Sequence, residues 1–504
     1  MYTIFKLALR NLFEHKSKSI IIALLLVFGI AIVVMGNSFL ESVNRGLEKD
    51  FRENYTGDVV ISVIPGKGEE IDIFGLSTSD ISNPFVTTPA LPELDSLMEI
   101  VNSEPEVKAS TKQISSKVMI SKGLEMDYTW LTDNDDLGFD DLPISMLFSG
   151  EYPSYFNMFD GLKIIEGSYP EPNTNQVLID TRVKKSYEKL FKQELNVGDK
   201  IAISSAGPVG IIREAEISGI FNPSDENSAM FQIIYSNPDL ARAFASLTYA
   251  DSFAEELPDS VDLSLAAMDE EDMFDDMFDS ASDILSSGNQ DYNSILGSTE
   301  LRDQLNKTDD GAWNFIVIKL KNPAKADKIV SSFNKQFKEK GWNVQAMNWN
   351  DAAHSYTGTV GGITIIFNLL IFILGVVVFI IIMNTMTVSV LERTGEIGTM
   401  RAIGAEKAFI KKLFFTESFI LTLASTIVGI ILALILMLIF NSLDITVQNS
   451  IAKMILGGGR IHFSPTFMII LMTLVVSLLC AFASNLYPVN SALRVSPLTA
   501  LSKE

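Results

Sequence analysis

The chain of 504 residues has one cysteine, Cys480, and three histidines, His15, His354 and His462. A single thiol excludes an internal disulfide framework and any cluster of cysteine metal ligands. The histidines are far apart, with neither H-E-x-x-H nor H-x-x-x-H spacing, so no helix carries a zinc-hydrolase pair. No G-x-x-x-x-G-K-[ST] loop is present to cradle phosphates, and no G-x-S-x-G elbow to present a nucleophilic serine. The glycines of GGGR at 457–460 fall between two hydrophobic runs, the wrong setting for a nucleotide. The expectation is a chain that is not an enzyme and binds no metal or cofactor of its own.

Positive charge is also scarce. Lysine and arginine number 39 against 62 aspartates and glutamates, a net charge of −23, yet the mean hydropathy is +0.24. These two values are compatible only if apolar and charged residues are segregated along the chain. Residues 1–39 and 359–504 together hold 13 basic and 7 acidic residues, and residues 40–358 hold 26 basic and 55 acidic. The middle segment therefore reads as an acidic, water-soluble domain that repels nucleic acid and anionic headgroups.

The ends read as membrane. A hydrocarbon core of about 30 Å needs about 20 apolar residues in helix, because every backbone N–H and C=O must be satisfied internally. Four stretches meet that requirement: 20–40, 359–390, 413–439 and 467–486. Basic residues in the short loops set the orientation. Lys6, Arg10, Lys16 and Lys18 precede the first span, and Arg393, Arg401, Lys407, Lys411 and Lys412 separate the second from the third. Only Lys453 and Arg460 separate the third from the fourth. Both termini and the loop 391–412 are expected to be cytoplasmic, with 41–358 and 440–466 outside. A cleaved signal peptide fits the first stretch less well, since its charged leader is long and no A-x-A site follows.

Past the first span, Leu40, Val43, Leu47 and Phe51 keep a helical period with charges between them. With the polar approach NWNDAAHSYTGTVGG at 348–362, this suggests two stalk helices rising into the domain; flexible linkers are the plainer alternative. Inside the domain, strands are expected at 57–64, 117–121, 176–180, 200–204, 214–221, 232–235 and 313–320. Helices are expected at 91–102, 181–194, 238–246 and 324–340, and 313–347 reads as β-α-β. The fold class is thus an α-helical membrane protein with four transmembrane helices, one plus three, and a large α+β extracytoplasmic domain inserted between the first and second. Residues 66–89, rich in Gly, Pro, Ser and Thr, read as a mobile loop. Residues 250–311 read as an acidic insertion in which Met273, Phe274, Met277 and Phe278 form either a substrate surface or the inner face of an amphipathic helix. The run from Asp133 places Leu137 and Ile144 where a calcium loop needs oxygen ligands, so that site fails.

Residues 391–405, LERTGEIGTMRAIGA, lie between two spans. Leu391, Gly395, Gly398, Ala402 and Ala405 are spaced as one helical stripe of small residues. Ile397, Met400 and Ile403 form an apolar arc beside it, and Glu392, Arg393, Glu396 and Arg401 supply charge. Such a helix suits docking onto a cytoplasmic protein or, more plainly, an interfacial turn. In the third span Ser425, Gly429 and Ala433 repeat small residues every four positions, as Ser477, Ala481 and Ser484 nearly do in the fourth. Glu417 sits about one turn inside the third span, either a functional group or a salt bridge to Lys411 or Lys412. Asn384 could bridge helices from the second.

The loop resembles the signature of the FtsX-like and MacB-like permeases, the membrane subunits of type VII ABC transporters, which include lipoprotein-releasing systems. LALRNLFEHKSKS at 7–19 and YPVNSALRVSPLTALSKE at 487–504 are similar to that family's cytoplasmic ends. LKIIEGSYPEPNTNQVLID, LNVGDKIAI and EAEISGIF, beginning at 162, 195 and 214, are similar to its extracytoplasmic core. The resemblance implies a bacterial inner-membrane permease in which Leu391, Glu392, Arg393, Gly395, Glu396, Gly398, Arg401 and Gly404 form a coupling helix. ATP and Mg would then be bound by a separate ATPase subunit. It further implies a second permease copy or paralogue, a periplasmic or outer-membrane accessory protein, and export of a lipoprotein, peptide or amphipathic substrate by mechanotransmission. A signalling subunit that activates a cell-wall hydrolase without transport is the alternative.

Overall fold

The computed structural model describes residues 2–14, 16–78, 86–121, 144–159, 162–205, 211–222, 232–248, 307–447 and 461–492. The chain divides into two units, Met1–Lys49 with Tyr356–Glu504, and Asp50–Ser355.

In the first unit, four helices are long and apolar enough to cross a membrane. They belong to the elements Lys16–Asn54, His354–Glu392, Lys407–Ser442 and Phe467–Ala492, preceded by a short amphipathic helix, Tyr2–Glu14. Each extends beyond the bounds set by hydropathy, because helical hydrogen bonding continues through polar residues until something caps it. The first two contain 39 residues each, a length of about 58 Å, roughly twice a hydrocarbon core.

Lipid tails are as apolar as leucine, so close backbone approach replaces the hydrophobic effect as the packing force. Gly429 provides it: a Cβ there would lie 2.9 Å from the Val27 carbonyl oxygen and 3.0 Å from Ile30 Cβ. The small-residue row of the third helix is thus used within the chain, against the first. Ile22, Leu26, Ala31 and Val34 are buried there with Ala433 and Met437. The hydroxyls of Thr426 and Ser477, 3.0 Å apart, join the third and fourth helices.

The second unit is α+β. Its strands are β1 (Val59–Val63), β2 (Glu69–Asp72), β3 (Gly75–Thr78), β4 (Val107–Ser121), β5 (Ile144–Gly150), β6 (Lys163–Gly167), β7 (Gln176–Asp180), β8 (Lys200–Ser205), β9 (Ile212–Asn222), β10 (Gln232–Ser236), β11 (Phe315–Leu320) and β12 (Val344–Asn348). Ten of these form one sheet in the order β12-β1-β11-β4-β5-β10-β7-β9-β6, with β8 paired to both β4 and β9. The β8 pairings close a ring, β4-β5-β10-β7-β9-β8, around a core that includes Ile114, Leu147, Ile179, Ile203, Ile217 and Ile234. Each such side chain, fully buried, contributes about 1.5–3 kcal/mol.

The expected β-α-β unit is present but split. β11 and β12 are both antiparallel to β1, which lies between them. Their connecting helix, Ala326–Lys340, buries Ile329, Phe333 and Phe337 and stops at Gly341 with φ 72°.

Two sequence expectations are corrected. Residues 66–89 are not simply a loop: β2 and β3 form a hairpin whose Ile71, Ile73, Phe74 and Leu76 are buried. Phe74 stacks on Phe148 at 5.9 Å. Gly75 serves the tight turn there at φ 112°, a conformation that a β-carbon disfavours. The strand at 117–121 starts ten residues earlier, at Val107, because its polar first half pairs with β11, and there Thr111 and Gln113 are at 0% exposure.

The hairpin also caps a helix. Asp72 Oδ2 accepts the N–H of Ser355 at 3.2 Å and its hydroxyl, Oδ1 accepts the Phe74 N–H at 2.9 Å, and the Ile73 N–H bonds the Ala352 carbonyl at 2.8 Å. The carboxylate thereby satisfies an orphan donor at the start of the helix His354–Glu392 and meets the positive end of its dipole. Where the helix Lys16–Asn54 ends, Arg52 bridges Asp58 at 2.6 Å, and Asp58 accepts the Leu320 N–H at 2.7 Å.

Replacing Asp72 by Ala is expected to cost about 1–2 kcal/mol, as for loss of a cap. Burial pushes the Asp72 carboxyl above the ordinary carboxylate range, with the Ser355 and Phe74 hydrogen bonds opposing that shift. A raised folded-state pKa means that the stabilisation is complete below the unfolded-state value and declines as pH rises through the folded-state value. The D72A penalty should therefore be larger at mildly acidic than at alkaline pH, read by denaturant unfolding of the solubilised protein.

Candidate functional site

The candidate site is the loop between the second and third spanning helices, within the first unit. The second helix ends at Glu392, and a separate helix, Thr394–Ala402, follows. Arg393, at φ −97° and ψ 16°, makes the break. The short helix ends in a Schellman turn, in which Gly404 at φ 104° donates to the Arg401 carbonyl at 3.1 Å and Ala405 donates to Met400 at 2.9 Å. Only glycine adopts that conformation readily. Gly404 is therefore a helix stop, and the third spanning helix begins three residues later at Lys407.

Arg393 holds the loop. Its side chain is 4% exposed. Nη1 lies 3.2 and 3.1 Å from the two oxygens of Glu417, Nε lies 2.9 Å from Glu396 Oε2, and the guanidinium stands 5.2 Å from the centre of the Phe414 ring. The planar fork suits this arrangement because it satisfies two carboxylates at once and stacks on an aromatic face. Burial alone would push the guanidinium down, but Glu417 and Glu396 beside it hold it above its ordinary value. Ile397 anchors the same helix in an apolar cluster with Ile410, Phe414 and Val489.

The other predicted residues divide by exposure. Leu391 is 58% exposed and Ile403 82%, the Glu396 side chain is 54% exposed, and Glu392 and Gly404 are also exposed. Gly395 and Arg401 are half-buried and Gly398 is buried. The expected single stripe from Leu391 to Ala405 does not form, because the turn at Arg393 changes the helix axis. Arg393 itself faces inward, away from solvent. The salt bridge of Glu417 to Lys411 or Lys412 is also corrected: both lysines are exposed, since five or six residues along a helix lie off the face of Glu417. Asn384 is exposed on the second helix and bridges to no other helix among the described residues. Met273, Phe274, Met277 and Phe278 lie outside the described residues. Among the described residues no group of three or more His, Cys, Asp or Glu side chains could hold a metal ion.

Two protein families match the chain. Residues 19–336 match the MacB-like periplasmic core domain, and residues 368–497 match the FtsX-like permease C-terminal region. An uncharacterized ABC transporter permease of Methanocaldococcus jannaschii is 28% identical over 223 residues, 43% of this chain and 52% of that protein. The lipoprotein-releasing system transmembrane protein LolE of Haemophilus influenzae is 29% identical over 144 residues, 28% of this chain and 34% of that protein. These alignments span about half and about a third of the relatives. An uncharacterized ABC transporter permease of Bacillus subtilis, YvrN, is 23% identical over 500 residues, 99% of each chain.

Truncating Arg393 leaves Glu417 buried without its cation. Arg393→Met should therefore lower the stability of the membrane unit by about 3–5 kcal/mol, and Arg393→Met with Glu417→Leu by less. Thermal unfolding of the two variants in detergent checks the order.

Proposed function

Because this chain belongs to the family of ABC transporter permeases with a MacB-like periplasmic core domain and an FtsX-like C-terminal region, we propose that it couples ATP hydrolysis by a separate subunit to the movement of an amphipathic, peptide or lipoprotein substrate. The ATPase, carrying ATP and Mg, docks on the loop 391–404 in the cytoplasm. Both termini share that compartment, in the inner membrane of a bacterium, and the inserted domain works on the other side. The observation that carries this reading is the pairing of a fixed underside with an open top in one short loop: Arg393 and Ile397 are held inside, while Leu391, Glu396 and Ile403 are left to solvent. A surface that receives force must be anchored behind and accessible in front.

The two 39-residue helices support transmission along their length, since a continuous helix resists bending where a linker does not. ATP-bound and nucleotide-free ATPase must bind the loop with different free energies, or nothing is transmitted. The exposed amide of Asn384 on the second spanning helix supports a contact with a second permease copy or paralogue, where it finds a hydrogen-bonding partner. A periplasmic or outer-membrane accessory protein completes the assembly in this reading.

Two substitutions test it. Ile403→Asp leaves the fold intact, because the side chain stands in solvent, and should weaken binding of the co-purifying ATPase by about tenfold or more, as for a buried interface anchor. Replacing Glu396 and Arg401 together by Ala should uncouple ATP hydrolysis from transport. Unchanged ATPase binding by Ile403→Asp, measured by titration in nanodiscs, contradicts the reading.

A further inference from the structure

Within the second unit, the hairpin of β2 and β3 meets the ends of both long helices. Phe74 stands against Phe51 and Tyr55, at ring-centre distances of 6.0 and 6.5 Å, where the helix Lys16–Asn54 ends. Asp72 and Ile73 bond Ser355 and Ala352 beside the start of the helix His354–Glu392, and Glu70 Oε2 lies 3.7 Å from His354 Nε2. The hairpin is nevertheless a two-stranded sheet of its own, laid over a surface that receives it poorly.

That surface is one face of β4. Side chains alternate along a strand, so Ile114 and Val118 point into the ring core while Thr111, Gln113 and Ser115 point the other way. The Thr111 hydroxyl is 2.9 Å from that of Ser154, which places this face under the short helix Ser154–Met158. A Cβ on Gly75 would lie 3.8 Å from Ser115 Oγ, so the same face continues beneath the hairpin. Gln113 stands between the two covers. Gln113 and Ser115 are both buried, and among the described residues Gln113 Nε2, Gln113 Oε1 and Ser115 Oγ have no hydrogen-bond partner.

A buried donor or acceptor without a partner gives up its hydration and gains nothing in return. Three such atoms on two successive positions of one face raise the free energy of the closed arrangement. Against them stands the apolar side of the hairpin, with Ile71, Ile73, Phe74 and Leu76 buried. Lifting the hairpin exposes those side chains, but it also returns water to Gln113 and Ser115, which offsets part of the cost. Opposed terms of this kind put an open state within reach of thermal population, below global unfolding.

We propose that the hairpin is a releasable latch: closed, it holds the ends of the two long helices against the sheet, and it opens by parting from Gln113 and Ser115 while the sheet stays intact. Opening frees the Asp72 cap and the Phe74 ring contacts together, because one short hairpin carries both. Only the use of this latch in coupling to an ATPase rests on the proposed function.

Hydrogen exchange of the full chain in nanodiscs, followed by mass spectrometry of peptic peptides, reads the latch. The amides of Ile73, Phe74 and Leu76 donate to Ala352, Asp72 and Thr88, so they exchange only when those bonds break. Residues 71–76 should exchange at least tenfold faster than residues 113–118 of β4 and 145–149 of β5. Gln113→Leu with Ser115→Ala removes the unpaired groups and should slow exchange at 71–76 about tenfold, by favouring the closed state. Ser355→Ala removes bonds of the latch at a distance from that face. It should speed exchange at 71–76 about tenfold and leave β4 and β5 unchanged. This variant carries the test if the double variant disturbs the packing of β5.

Exchange of 71–76 in step with β4 and β5 would overturn the proposal. So would faster or unchanged exchange in the double variant with β5 protection intact, the result expected if ordered water seals the hairpin to Gln113. No change at 71–76 in Ser355→Ala would overturn it as well. None of these results bears on ATPase binding by Ile403→Asp, so the two readings fail separately.

Discussion

A guanidinium leaves water only where carboxylates receive it, and the loop between the second and third spanning helices depends on that constraint. Arg393 stands at the break between the spanning helix that ends at Glu392 and the helix Thr394–Ala402. It reaches Glu417 across the loop and Glu396 within it. An exposed pair of this kind contributes little. At 4% and 11% side-chain exposure, the pair of Arg393 and Glu417 fixes position instead, because either charge without the other is a large penalty. The geometry of the loop is thereby tied to the third spanning helix about three turns from its start at Lys407. The exposed face, from Leu391 to Ile403, inherits that rigidity.

The same economy recurs in the inserted domain, in one case through hydrogen bonds alone and in the other through an ion pair. Long helices present unsatisfied donors or acceptors at their ends, and a buried end needs a designated partner. Asp72 serves the start of the helix at His354, and Asp58 fixes Arg52 where the first long helix ends. Each is a single acidic side chain in a part of the sequence rich in acidic side chains, which is why composition alone did not distinguish them.

What the sequence revealed follows from the range of each signal. The four spans were legible because about twenty uninterrupted apolar residues have few other solutions. β7 and β10 were legible because short apolar runs between turn residues leave little choice. β4 was half-missed: VKASTKQ has no apolar alternation, and its burial comes from strands and a hairpin distant in sequence. The placement of β1 between β11 and β12 is likewise a non-local pairing that periodicity cannot report. For Glu417, spacing did carry a usable signal. Ile410, Leu413, Phe414 and Glu417 share one helical face, and the first three are core, so the carboxylate belonged inside, with the arginine at the helix break, rather than outside with Lys411 and Lys412. The stripe from Leu391 to Ala405 misled because it assumed one continuous helix through Arg393.

The central claim is that the loop anchored by Arg393 is where the nucleotide-binding subunit pushes. Hydrogen exchange of the full chain, alone and with a candidate ATP-binding subunit added, tests this most directly. The account predicts added protection concentrated in residues 391–405 that changes when ATP is bound. Protection confined to other segments, with 391–405 exchanging as in the isolated chain, would contradict it.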